Sequence, residues 1–184
     1  MSERINVAFN ETKTFTKNVV LIISSCGGET GEMHQTISVL RDIKRTHVLT
    51  TAVVRGGNCS SACVPIFLQG SARMAALASV WLLHHAVAEV TDGDTITRRT
   101  DAAATERVIK DYFEPAGVSK RWLKKVRAKI KSGELLANRA RLVGKQERRV
   151  HGAASEPRKA RRQYQYPALH ADSGLRGFLQ RLTP

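Results

Sequence analysis

A serine between small residues, a histidine 23 residues on and a glycine pair upstream are the side chains here whose types and order could do covalent chemistry. Gly56-Gly57-Asn58-Cys59-Ser60-Ser61-Ala62-Cys63 follows the apolar run 48–54 and precedes Val64-Pro65-Ile66-Phe67-Leu68. A strand, a tight small-residue turn and then a helix would lift the Ser61 hydroxyl out of a sheet edge. The nearby N–H groups at a helix start would favour a developing negative charge there. Val80-Trp81-Leu82-Leu83-His84-His85 ends a second apolar run on two imidazoles. Val19 to Ser25 ends a third, followed by Cys26-Gly27-Gly28. Active sites of open α/β sheets lie at the carboxyl ends of strands, so the three runs would bring serine, imidazole and glycine amides together.

Each residue also has a plainer reading. Ser60 and Ser61 are both good helix N-caps. Consecutive strand residues face opposite sides, so only one of His84 and His85 would enter the site. Cys59 and Cys63, four apart on a helix, share a face, yet a disulfide across a regular turn is geometrically poor. Buried small packing residues are the first expectation for them, and a pair in an irregular first turn is the second. A zinc site from Cys59, Cys63, His84 and His85 fits poorly once Cys63 lies inside a packed helix.

The elements that would position these groups follow from periodicity. Residues 19–24, 47–54 and 79–85 read as strands, the first as one buried on both faces. Met33, Ile37, Leu40 and Ile43 recur at three- and four-residue steps and predict a helix over 30–44. Strand, helix and strand make a right-handed crossover the default. The next unit repeats with a helix over 60–69, where Pro65 is tolerated only in the first turn. Val7 and Phe9 alternate with polar neighbours, as in an edge strand. Residues 89–101 read as a polar loop around Asp92-Gly93-Asp94. Helices follow over 102–114, with Val108, Ile109, Tyr112 and Phe113 on one side, and over 119–131. The latter turns Trp122, Leu123, Val126 and Ile130 inward and Lys120, Arg121, Lys124, Lys125, Arg127, Lys129 and Lys131 outward. Ser119 would cap it, while Asp111 and Glu114 would face solvent.

In order, these segments resemble the proteolytic subunit of Clp protease, in the Clp/crotonase superfamily of serine peptidases. Ser24-Ser25-Cys26-Gly27-Gly28 is similar to that family's Ser-Pro-Gly-Gly segment, with Cys26 in the proline's place. Gly57-x-Cys59-x-Ser61-Ala62-Cys63 is similar to its nucleophile segment, in the cysteine-flanked form of the periplasmic Clp-like branch. Gly70 and Arg73 match the glycine and arginine that follow. The resemblance covers roughly residues 15–135 and selects Ser61 over Ser60 and His84 over His85. It implies an α/β spiral of ββα units with mostly parallel sheet. It implies serine-type peptide hydrolysis by Ser61 and His84, with an oxyanion hole from the Gly28 and Ala62 amides. The third triad position aligns with Ser132-Gly133-Glu134-Leu135-Leu136, where Glu134 is the one acid. Homo-oligomerisation, a peptide or unfolded-protein substrate and an ATP-driven unfoldase partner are implied in the same way. No metal or organic cofactor is needed for that chemistry.

Composition bounds the rest. The chain has 184 residues, 42% of them hydrophobic, enough for one domain with a core. No apolar run reaches the roughly 18 residues of a membrane span. The first residues hold no apolar signal-peptide core, which points to the cytoplasm, against the periplasmic look of the cysteine motif. Three cysteines are an odd number and define no full disulfide framework. The formal net charge is +14. Residues 1–100 hold 10 basic and 8 acidic side chains; residues 101–184 hold 20 and 8. The catalytic domain is therefore expected over 1–136 and a basic extension over 137–184, whose low hydrophobicity and high charge predict disorder. That half reads either as a solvated surface or as a polyanion contact, with Tyr164 and Tyr166 placed among arginines to stack on bases. Two other functions fit the same residues: an acyl-CoA enzyme of the crotonase type, and a non-catalytic Clp-like binding protein.

Overall fold

The sequence alternates strand-forming and helix-forming segments, and the computed structural model shows how they are layered; it describes residues 1–131 and the short strand 135–136. The expectations for Glu134 and for residues 137–184 lie outside the described residues.

The architecture is α/β, with strands and helices alternating along the chain. β1 (Asn18–Ile22), β2 (Val48–Val53) and β4 (Ala72–Ala75) form one parallel sheet in the order β1-β2-β4. A second sheet is separate from it. β3 (Asn58–Ser60) pairs in parallel with β5 (Val80–Leu83), and Ser25 makes a parallel bridge to Cys59. β8 (Leu135–Leu136) joins antiparallel to β5. The catalytic candidates all follow a strand or the bridge of this second sheet: Gly27-Gly28 after Ser25, Ser61-Ala62 after β3, and His84-His85 after β5.

Two helices close the core over the first sheet. α2 (Thr30–Thr46) buries Met33, Ile37, Leu40 and Ile43, the stripe the sequence predicts. α3 spans only Cys63–Phe67, shorter than the expected 60–69, because residues 58–60 are taken up by β3. Phe67 and Trp81, both nearly inaccessible, meet edge to face with centroids 4.8 Å apart and pack α3 against the second sheet.

Two expectations are corrected. Residues 2–12 form a helix, α1 (Ser2–Thr12), and not an edge strand. Ile5 and Phe9, four apart, pack on the core, Phe9 sits edge-on to the His47 ring at 4.8 Å, and Val7 is left exposed. The apparent two-residue alternation was one half of a helical spacing. Residues 89–101 are not a loop either. β6 (Ala86–Asp92) and β7 (Thr95–Asp101) form an antiparallel hairpin closed by Gly93-Asp94. Gly93 takes a φ of 55° at the first turn position, which a two-residue hairpin turn demands. Val87, Val90, Thr91, Thr95, Ile96 and Thr97 supply the β-branched flanks.

α4 (Ala102–Val108) starts on the Asp101 carboxylate, which accepts from the Ala104 N–H at 2.7 Å. It runs on into a π-helical turn, Ile109–Phe113, that buries Ile109, Tyr112 and Phe113. α5 (Lys120–Lys131) follows the Ser119 cap, whose hydroxyl lies 3.3 Å from the Trp122 N–H. Trp122, Leu123, Val126 and Ile130 are buried, as their spacing requires.

Candidate active site

Ser61 occupies a turn that few side chains tolerate. It is the one non-glycine residue among those described with positive φ, at 54°, a left-handed conformation that costs an L-residue roughly 1–2 kcal/mol. Its N–H donates to the Leu82 carbonyl at 2.9 Å, which ties the turn to β5. Its own carbonyl accepts from the Val64 N–H at 3.0 Å and starts α3. Gly27 backs it: a Cβ there would stand 2.6 Å from the Ser61 Cβ and 2.9 Å from the Ser60 carbonyl oxygen. Gly27 also has φ 104°, so only glycine meets both demands.

The Ser61 hydroxyl makes no hydrogen bond among the described residues, whereas the buried Ser60 hydroxyl donates to Asn58 Oδ1 at 2.6 Å. Of the two serines, Ser61 is thus the one with a free nucleophilic oxygen. The Gly28 and Ala62 amides likewise donate to no acceptor among the described residues.

Gly28, Ser61, Ala62, His84 and His85 line one cavity of about 470 Å³. Its apolar wall includes Met33, Pro65, Leu83, Ile109, Phe113 and Ile130. Glu29, Glu89 and Arg98 add charge to the lining, the last two as an exposed ion pair at 2.9 Å across the hairpin. Sequence reasoning missed this hairpin wall, although Asp92-Gly93 between β-branched residues carried the signal.

Both histidines lie beyond the end of β5, so strand alternation does not separate them, and both reach the cavity. Their Nδ1 atoms have different partners. His84 Nδ1 is 2.6 Å from the His85 carbonyl oxygen, and His85 Nδ1 is 3.3 Å from the Ile130 carbonyl on α5. A carbonyl only accepts, so each contact assigns a proton to Nδ1, and in the neutral ring Nε2 keeps its lone pair. No hydrogen bond joins Ser61 to either ring; catalytic contacts are often long without substrate. Glu29 and Glu89 are the carboxylates among the described lining residues, and neither bonds to His84. Arg73 does not line the cavity. Two of its guanidinium nitrogens are buried without a partner, and burial pushes its pKa below the usual value.

Cys59 and Cys63 are joined by a disulfide, with Cα atoms 5.3 Å apart. The expectation of two separate packing residues is corrected here. Cys59 sits on β3 and not on a helix, so the poor geometry of a bond across one regular turn does not arise. The bond uses both sulfurs that a zinc site would need. Among the described residues, no group of three or more His, Cys, Asp or Glu side chains could hold a metal ion. No described helix is long and apolar enough to cross a membrane.

The two-sheet architecture is a Clp-protease-like fold. A search of solved structures places the chain beside two variants of the 1510-N membrane-bound stomatin-specific protease. One of these, in complex with a substrate peptide, matches at 14% identity and TM-score 0.54, over 78% of this chain and 64% of that one. The other matches at 12% identity and TM-score 0.56, over 78% and 69%. ClpP1 from Listeria monocytogenes superposes more loosely, at 13% identity and TM-score 0.46, over 77% and 81%. At such identities the likeness is one of fold. No family model and no curated protein matches the sequence.

Proposed function

We propose that the chain is a serine-type peptidase acting through Ser61 and His84. The observation that carries this reading is the Ser61 turn: a left-handed serine with an unbonded hydroxyl, opening on a cavity beside two unbonded amides and an imidazole. Nothing in packing alone calls for a strained serine at that position, and such strain collects at active sites.

The chemistry follows from the geometry. Ser61 Oγ attacks the scissile carbonyl carbon, and its proton passes to His84 Nε2. The carbonyl oxygen becomes an oxyanion between the Gly28 and Ala62 N–H groups, which need no reorganisation to receive it. His84 returns the proton to the departing amine. Water then attacks the acyl-serine with His84 again as base, which frees the acid product. In this reading the His85 carbonyl holds the His84 tautomer, the orienting part of the role assigned by resemblance to Glu134. The apolar wall takes a substrate side chain, and the Glu89–Arg98 pair borders its path.

A fluorophosphonate probe tests the reading directly. Wild-type protein is expected to label at one serine, and Ser61→Ala and His84→Ala to abolish labelling while keeping the fold. An acyl-CoA enzyme on this scaffold needs the amide pair but not the hydroxyl, so retained acyl-CoA turnover in Ser61→Ala would overturn the peptidase assignment. Ring assembly and an unfoldase partner belong to the same proposal.

A further inference from the structure

The disulfide brackets the nucleophile. Cys59 and Cys63 stand two residues either side of Ser61, and their bond closes a ring around Ser60, Ser61 and Ala62. Each end is anchored separately. Cys59 is a β3 residue registered with Trp81 on one side and bridged to Ser25 on the other, and it is fully buried. Cys63 begins α3 and is 1% exposed. The strained residue and the Ala62 amide therefore lie within a short covalent loop fixed at a sheet and at a helix.

We propose that the Cys59–Cys63 disulfide is a positioning element: it holds Ser61 Oγ and the Ala62 N–H in register, so that the site works faster when oxidised than when reduced. The inference rests on the peptidase reading above. Relaxation of Ser61 toward an ordinary backbone conformation would rotate both groups. A displacement of about 1 Å at a reacting centre can lower the rate about 10²-fold. A dithiol reductant opens the bond in two steps. One of its thiolates attacks a disulfide sulfur and forms a mixed disulfide, expelling the other protein cysteine as thiolate. Its second thiolate then displaces the remaining protein thiolate, leaving Cys59 and Cys63 as thiols and the reductant as a disulfide. Because both cysteines are buried, the turn must open before attack. Such a site suits a compartment where disulfides persist, in contrast to the cytoplasmic expectation from the amino terminus.

The test uses the full chain carrying Cys26→Ser, which removes the one exposed free thiol and is expected to leave activity unchanged. Fluorophosphonate labelling rate, peptidase kcat and KM, and amide exchange across residues 58–64 are measured before and after dithiothreitol, with a thiol titration counting two new thiols. The expected result is a 10- to 100-fold fall in labelling rate and in kcat, KM within about twofold, and faster exchange confined to that segment. Cys59→Ala with Cys63→Ala is expected to match the reduced state; should that pair fail to fold, the reduced protein alone decides. Equal labelling rates in both redox states, with two thiols titrated, would overturn the inference. If neither state labels, the peptidase reading falls, and the exchange data decide the clamp: no local loosening on reduction overturns it.

Discussion

The nucleophile and the base of the candidate site are held very differently. Ser61 is fixed by a hydrogen bond on each side of its peptide, by the close approach of Gly27 behind it and by a covalent ring around it. His84 lies past the end of β5 with one hydrogen-bond partner among the described residues, the carbonyl of the residue after it, and an edge-on contact with the His85 ring. That carbonyl orients the imidazole but carries no full charge to stabilise the imidazolium that the proposed reaction would form. In the proposed reaction, preorganisation would thus lie in the backbone around the serine, and proton transfer would be the less supported step.

The strongest way to break the comparison is to spoil the well-held side. Gly27→Ala places a methyl group against Ser61 and Ser60 at a φ of 104°. Backbone strain and overpacking together predict a loss of about 2–4 kcal/mol. Labelling should fall below detection while urea melts still show a cooperative transition. The mild side is sharpened by comparing two imidazoles. His84→Gln should lower labelling by about 10²–10³-fold with little change in the melt. His85→Gln, which loses a long contact to the Ile130 carbonyl and an edge-on contact with the His84 ring, should cost less than about 1 kcal/mol and keep most of the activity. A reversal of the two would make His85 the base.

Much of this was legible in the chain. The apolar runs at 19–24, 47–54 and 79–85 correspond to β1, β2 and β5, and the Met33-Ile37-Leu40-Ile43 stripe to α2, because burial on one side or both leaves its period in the sequence. The cavity brings together Gly28, Ser61, Ala62, His84 and His85, five residues singled out in the sequence by their types, their order and the resemblance that order carries. What was hidden depends on non-local geometry. The three-residue β3 is too short to carry a period, and its presence moves Cys59 from a helix to a strand, which turns an unfavourable disulfide into an available one. The hairpin is largely exposed on both faces, so it shows no apolar alternation and looked like a loop.

A smaller effect separates that hairpin from the core. Glu89 and Arg98 border the cavity but are mostly solvent-exposed. Replacing both by alanine should leave stability within about 0.5 kcal/mol, since exposed pairs contribute little. If the chain is the proposed peptidase, KM for a peptide substrate should rise several-fold at constant kcat, because the pair would contact substrate away from the reacting atoms. A fall in kcat instead would place the hairpin in the chemistry and weaken the contrast between a rigid nucleophile turn and a binding wall.

The smallest effect is expected far from the serine. Arg127 on α5 bonds to Glu106 on α4, with Nε 2.8 Å from Oε2, and to Glu114 at 3.1 Å. The hydrogen bonds from Arg127 hold the Glu106 carboxyl below its usual 4.5. A depressed carboxyl contributes stability that is present above the unfolded value and is lost as pH falls through the folded one. Glu106→Gln should therefore cost under about 1 kcal/mol in urea melts at pH 7, since the pair is exposed. The difference from wild type should begin to shrink as pH falls below 4.5, where the unfolded carboxyl takes up a proton, and should be gone once the folded carboxyl is neutral too. A difference that persists unchanged in acid would show that Glu106 acts by packing and not by charge. If labelling at Ser61 is the same in this variant at neutral pH, the α4–α5 contact supports the cavity wall without tuning the nucleophile.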